Sequence, residues 1–72
     1  MKFNKKFYVN GEEQNETVET TEKDVKTTLH FKFCWDDEVA RYEEMTLADG
    51  RFCVAIKDRS NKIIVQYKQI KT

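Results

Sequence analysis

Over much of this chain apolar residues recur at every second position, the pattern of strands that lie half-buried against a core. In "VKTTLHFKFCW", Val25, Leu29, Phe31, Phe33 and Trp35 fall on one side and Lys26, Thr28, His30, Lys32 and Cys34 on the other, which predicts a strand over 25–35. Further on, Asp49-Gly50 reads as a two-residue hairpin turn. That turn sets Leu47 opposite Phe52 and Met45 opposite Val54, apolar against apolar. A four-residue loop over 58–61 then sets Ile56 opposite Ile63, Val54 opposite Val65 and Phe52 opposite Tyr67. Strands over 43–48, 51–57 and 62–70 would thus share one buried face.

The N-terminal part carries the strongest hairpin dipeptide, Asn10-Gly11. Pairing across it brings Phe3 opposite Val18, Lys5 opposite Glu16 and Lys2 opposite Glu19, so strands over 2–9 and 12–19 are predicted, with 20–24 as a looser connection. The second of them has one valine among many acids, a composition suited to a sheet edge. The segment "DDEVARYEEM", 36–45, has two readings. Its Asp N-cap and good helix formers suit a helix, whereas strand from about Glu43 after a turn or short helical piece at 36–42 matches the face of the neighbouring strands better. The expected fold is therefore mainly β: one small antiparallel sheet or meander of five to six strands, able to curl into a small barrel. The alternative is an α+β chain in the order ββαββ with a helix at 37–48.

Length and composition narrow the class. Seventy-two residues make a single domain, 1–72, with a small core. The chain is 36% charged and 39% hydrophobic, and its five Phe, three Tyr and one Trp concentrate apolar area in few positions. Proline is absent, which suits central strands and tight Gly or Asn turns. Cys34 and Cys53 could close one bridge at most, so both are expected to be reduced, half-buried thiols. The basic start "MKFNKKFYV" leads into no apolar stretch of signal length, and the longest apolar run is Phe52 to Ile56. The expected location is the cytoplasm, with no membrane association.

Chemistry is sparse. His30 is the one histidine and Ser60 the one serine, and Ser60 falls in a predicted turn, so no catalytic triad is expected. On a strand, His30 and Cys34 would point the same way but stand about 13 Å apart, too far to share a metal. Adjacent acids such as Glu12-Glu13, Asp36-Asp37-Glu38 and Glu43-Glu44 read as solvated surface rather than an acid-base pair in a cleft. No catalytic residue, cofactor or metal is expected, and the chain reads as non-enzymatic.

Charge is the remaining signal. Formal net charge is zero, but residues 12–49 hold twelve acids against four basic residues, while both flanks are basic. An acidic side would dock on a basic surface of another protein, where complementary potentials steer encounter. The expected contacts are Glu12, Glu13, Glu16, Glu19, Asp36, Asp37 and Glu38, with Tyr8 or Tyr42 as aromatic anchor. Very small, motif-free, sheet-rich chains with acidic segments are similar in kind to the inhibitors that phages and mobile elements direct against host nucleic-acid or defence enzymes. A second expectation is a small β-barrel nucleic-acid binder using Lys57, Arg59, Lys62, Lys68 and Lys71. In that reading only Tyr8 is free to stack on a base, because Phe31, Phe33 and Trp35 are needed in the core. A third is a structural or homodimeric subunit joined by sheet edges, with 62–70 as the exposed edge.

Overall fold

In the computed structural model, which describes residues 1–71, two strands, β1 (Lys2–Val9) and β2 (Glu12–Glu19), precede a helix, α1 (Glu22–Trp35). Three more strands follow: β3 (Arg41–Thr46), β4 (Phe52–Lys57) and β5 (Ile63–Gln69). All five strands form one antiparallel sheet in the order β2-β1-β5-β4-β3. The fold is mainly β with one helix. It is open, bounded by β2 and β3, so the sheet does not close into a barrel. β5 is the central strand, and 62–70 offers no free edge for a second chain.

The N-terminal hairpin has the register expected from Asn10-Gly11. Phe3 faces Val18, Lys5 faces Glu16 and Lys2 faces Glu19, and the turn residues have φ of 52° and 82°, the left-handed pair that a type I′ turn requires. The charge pairs themselves form differently. Glu19 lies 3.0 Å from the Met1 amine, and the Lys5 ammonium sits over the rings of Phe7 and Tyr67 at 5.1 and 5.9 Å.

The other two hairpins depart from the expected registers, for one shared reason. Each closes through a three-residue loop whose last residue is left-handed: Gly50 at φ 88° and Asn61 at φ 66°. Such a loop is a type I turn followed by a bulge, favoured because its twist matches the strands. Across Ala48-Asp49-Gly50 it pairs Thr46 with Phe52 and Glu44 with Val54. That is one residue off the expected pairing, so Met45 turns to the far face and stands exposed. Between β4 and β5 a further irregularity near Ile56 and Lys57 puts Val65 opposite Ile56 and Tyr67 opposite Val54. This two-residue slip preserves the buried face.

Residues 25–35 are helix, not strand. Thr21 caps the helix by accepting the Asp24 N–H at 3.1 Å, Glu22 and Asp24 sit at its positive end, and Glu22 pairs with Lys26 one turn on at 3.4 Å. Only Val25 and Leu29, four apart on one side, are buried. The topology explains why helix prevails. β2 and β3 are opposite edges, four strand spacings apart, or about 19 Å. A 14-residue helix, about 21 Å long, carries the chain across the sheet face. A strand there would have no free edge to join except outside β2 or β3. The helix ends at Asp36, whose N–H donates to the Lys32 carbonyl at 2.9 Å, and a turn through Val39 leads into β3. The chain order is thus ββαβββ, with the helix earlier than 36–42 or 37–48, and strand begins at Arg41 rather than Glu43.

The core lies between α1 and one sheet face. Val25 and Leu29 from the helix and Val39 from the turn meet Phe3, Phe52, Val54, Ile56 and Val65. Phe3 is fully buried, with the rings of Phe52 and Tyr67 set edge-on at 6.5 and 6.3 Å. No helix covers the opposite face among the described residues, yet Cys53 and Ala55 at its centre are buried. Neighbouring strands shade them: Gln66 Nε2 lies 3.3 Å from Cys53 Sγ, and Lys57 pairs with Glu43 at 2.8 Å. The two cysteines are free as expected, but one is buried and Cys34 is exposed.

Candidate functional site

The helix that replaced a strand changes which aromatic residues are available. On a strand, Phe31 and Trp35 would have shared the core side with Leu29. At 100° per residue the pair's mean direction lies about 120° around the helix from that of Val25 and Leu29, and the two rings stand 65% and 76% exposed. Their rings lie tilted against one another at 6.2 Å, one helical turn apart. Phe33 is exposed as well, at 36%, although its ring leans on Tyr42 at 6.2 Å. The expectation that Phe31, Phe33 and Trp35 fill the core, leaving only Tyr8 to stack, is therefore overturned for all three rings, most fully for Phe31 and Trp35.

Two shallow grooves flank this pair. One, of about 650 Å³, runs from Thr28 and Lys32 past Phe31 and Trp35 to Asp36 and Asp37. Here the acids at the helix end border an apolar surface. Asp36 is fixed by its own turn: one carboxylate oxygen accepts the Glu38 N–H at 2.9 Å and the other lies 3.7 Å from Lys32 Nζ. Asp37 and Glu38 are exposed. The other groove, of about 470 Å³, lies on the β3 side and includes His30, Cys34, Tyr42 and Glu44. Tyr42 donates to Glu44 Oε1 at 2.6 Å and receives the His30 ring edge-on at 5.4 Å. Partial burial and the Glu44 carboxylate raise its phenol pKa above the ordinary 10.0.

The predicted acidic contacts do not form one face. Strand alternation divides the acids of β2: Glu13 and Glu19 share the sheet face away from the helix, while Glu12 and Glu16 lie on the side of Val18. Glu13 accepts a hydrogen bond from Asn15 at 3.1 Å. Asp36, Asp37 and Glu38 follow α1, which packs on β4 and β3 at the other edge. Tyr8 is half-buried on the uncovered sheet face with the Lys62 ammonium 5.4 Å from its ring, far from Tyr42 in the strand order.

The basic set divides similarly. Lys57 is paired with Glu43, and Arg59 shares a shallow groove with Asp37, Glu38 and Asp58. Lys68 lies opposite Cys53, and Lys71 borders the Asp49–Arg51 turn at the other end of the sheet. The feature missed in the sequence was the Phe31–Trp35 pair. Its signal was present: Thr21 three residues before Asp24 marks a helix start, and Val25 and Leu29 have helical spacing.

No family model, curated protein or solved structure matches the chain. No described helix is long and apolar enough to cross a membrane.

Proposed function

We propose that this chain is a non-enzymatic protein-binding module that docks through the outer face of α1, with Trp35 and Phe31 as the apolar centre and Asp36, Asp37 and Glu38 as an acidic rim. The observation that carries this reading is the exposed, mutually tilted pair of large aromatics in one groove with Asp36 and Asp37, next to which Glu38 follows in the chain. Protein interfaces concentrate their energy in a few aromatic anchors surrounded by polar residues, and adjacent exposed rings with no role in sealing a core mark such a surface. The rim favours a partner with a basic surface, because complementary charge speeds encounter and rejects acidic partners. A cytoplasmic inhibitor of a nucleic-acid or defence enzyme, of the type phages and mobile elements carry, would work this way by covering a basic groove. The β2 acids, at the far edge, are left as solvated charge in this reading.

The test compares three variants of the immobilised chain in capture of a partner from extract at low and moderate salt. Trp35→Ala with Phe31→Ala should lose the captured protein, and Asp37→Lys with Glu38→Lys should weaken it most at low salt. Glu13→Lys with Glu19→Lys should retain it. Capture that survives the aromatic pair but is lost with the β2 pair would move the interface to the sheet edge and end this proposal.

A further inference from the structure

We infer that His30 and Cys34 are half of a zinc-type metal site that a second copy of this chain completes. The helix sets them one turn apart, both exposed, with Cys34 Sγ 3.7 Å from His30 Nδ1. That separation fits a shared ion. Zinc bonds thiolate sulfur at about 2.3 Å and imidazole nitrogen at about 2.0–2.1 Å, so a tetrahedral angle between them places the two donor atoms roughly 3.6 Å apart. Neither side chain is needed by the core, and the groove beside them is open to solvent. The strand reading had kept these residues about 13 Å apart; only the helix brings them within reach of one ion.

The ligand count points to a second copy. Among the described residues no three His, Cys, Asp or Glu side chains come together as ligands. Glu44, in the same groove, is engaged by Tyr42 and lies 3.8 Å from Lys26. Each chain therefore offers two ligands, whereas a closed tetrahedral site takes four. Two copies related by a two-fold axis through the ion supply two thiolates and two neutral imidazoles, whose two negative charges balance a divalent ion. Binding releases the two thiol protons to solvent and involves no redox step.

The apolar surface next to the ligands supports the same arrangement. Phe31 and Trp35 lie beside Cys34 on the outer face of the helix, and crossing the two helices there would cover them. An aromatic side chain buries roughly 150–250 Å² when enclosed. Four such rings, each already partly covered, add on the order of 600 Å², well below the ~1,200 Å² of a specific stable interface. Pairing without metal is therefore weak, and the ion decides whether the dimer forms. The dimer would mask the face assigned above to partner docking. That consequence rests on the docking reading, while the metal site does not.

The experiment uses the full chain in chelator-free buffer with a phosphine reductant, and no partner protein. Titration with Co²⁺ should give thiolate-to-cobalt charge-transfer absorption that saturates at one ion per two chains, with doubled mass in sedimentation equilibrium. Zn²⁺ should abolish the absorption while the mass stays doubled, and EDTA should restore the monomer. Cys34→Ser and His30→Gln should each abolish the doubling with the circular dichroism unchanged, and Cys53→Ser should leave it intact. Trp35→Ala should weaken dimerisation at least tenfold without removing the charge-transfer band at high protein concentration. The inference is overturned by saturation at one ion per chain with monomer mass, by absence of the band, or by doubling that persists in Cys34→Ser or His30→Gln. Doubling that occurs only when the reductant is omitted also overturns it, since that would be a Cys34 disulfide.

Discussion

If the helix assignment of 22–35 and its orientation are right, truncating Leu29 and truncating Trp35 must have opposite consequences, although both are apolar residues in the same period-two run. Leu29 is 2% exposed within the core, so Leu29→Ala leaves a cavity beneath the helix. Substitutions of this kind cost about 2–5 kcal/mol. Ala is the better helix former, so the loss is one of packing and not of helix propensity. Trp35 is 76% exposed and covers about a quarter of its surface, some 60 Å², which at ~25 cal/mol/Å² is at most ~1.5 kcal/mol. The Cβ that Ala retains and its better helix propensity lower that to about 1 kcal/mol or less. A chain of this length has roughly 4–11 kcal/mol of total stability. Leu29→Ala should therefore consume a large part of it, while Trp35→Ala should leave most of it. Urea unfolding followed by far-ultraviolet circular dichroism reads both. With a slope near 1–2 kcal/mol/M, Leu29→Ala should lower the midpoint by about 1–5 M or leave the chain unfolded, and Trp35→Ala should move it by less than about 1 M. Equal losses, or a larger one for Trp35→Ala, would place Trp35 in the core and refute both the helix orientation and the docking face built on it.

Three further outcomes follow from local geometry. Gly50→Ala should cost about 1–2 kcal/mol, because a side chain at φ 88° is strained even with open space around it; Asn61→Gly at the equivalent loop position should be near neutral, both read by thermal melts. Thr21→Ala should cost about 1 kcal/mol by removing the acceptor for the Asp24 N–H, and Thr21→Ser should restore it. Tyr42 keeps its proton in the folded chain to higher pH than in the unfolded chain. The unfolded state thus binds fewer protons above about pH 10, and stability falls as pH rises beyond it. In urea titrations at successive pH values Tyr42→Phe should flatten that decline, and an unchanged alkaline slope would contradict the environment assigned to the phenol.

Some of this protein was fixed by short-range chemistry and could be read residue by residue. Asn10-Gly11 demands positive φ at two successive positions, and the pairing of Phe3 with Val18 follows from it by counting. The helix-facing side of β4 was equally legible, because Phe52, Val54 and Ile56 can share a face in only one way on a strand. At Asp49-Gly50 the dipeptide was right and the loop length was not. A three-residue loop with Gly50 last is as compatible with the local sequence as a two-residue turn, and the one-residue difference sends Met45 to the far face.

What tertiary structure alone decided is the state of 22–35 and, with it, the candidate site. Locally, "VKTTLHFKFCW" satisfies a strand, since β-branched and aromatic residues alternate with polar ones, and it also satisfies a helix through Thr21, Val25 and Leu29. Both patterns are present, and local propensity does not choose between them. The choice came from the strand order. Once β1 pairs with β5 in the middle of the sheet, the chain must travel from the β2 edge to the β3 edge. A helix makes that crossing with its own hydrogen bonds satisfied, whereas an unpaired strand on the sheet face would leave its backbone groups without partners. The crossing also sets which side of the segment meets the core. Val25 and Leu29 turn inward for that reason, Phe31 and Trp35 are left in solvent, and His30 comes to lie beside Cys34.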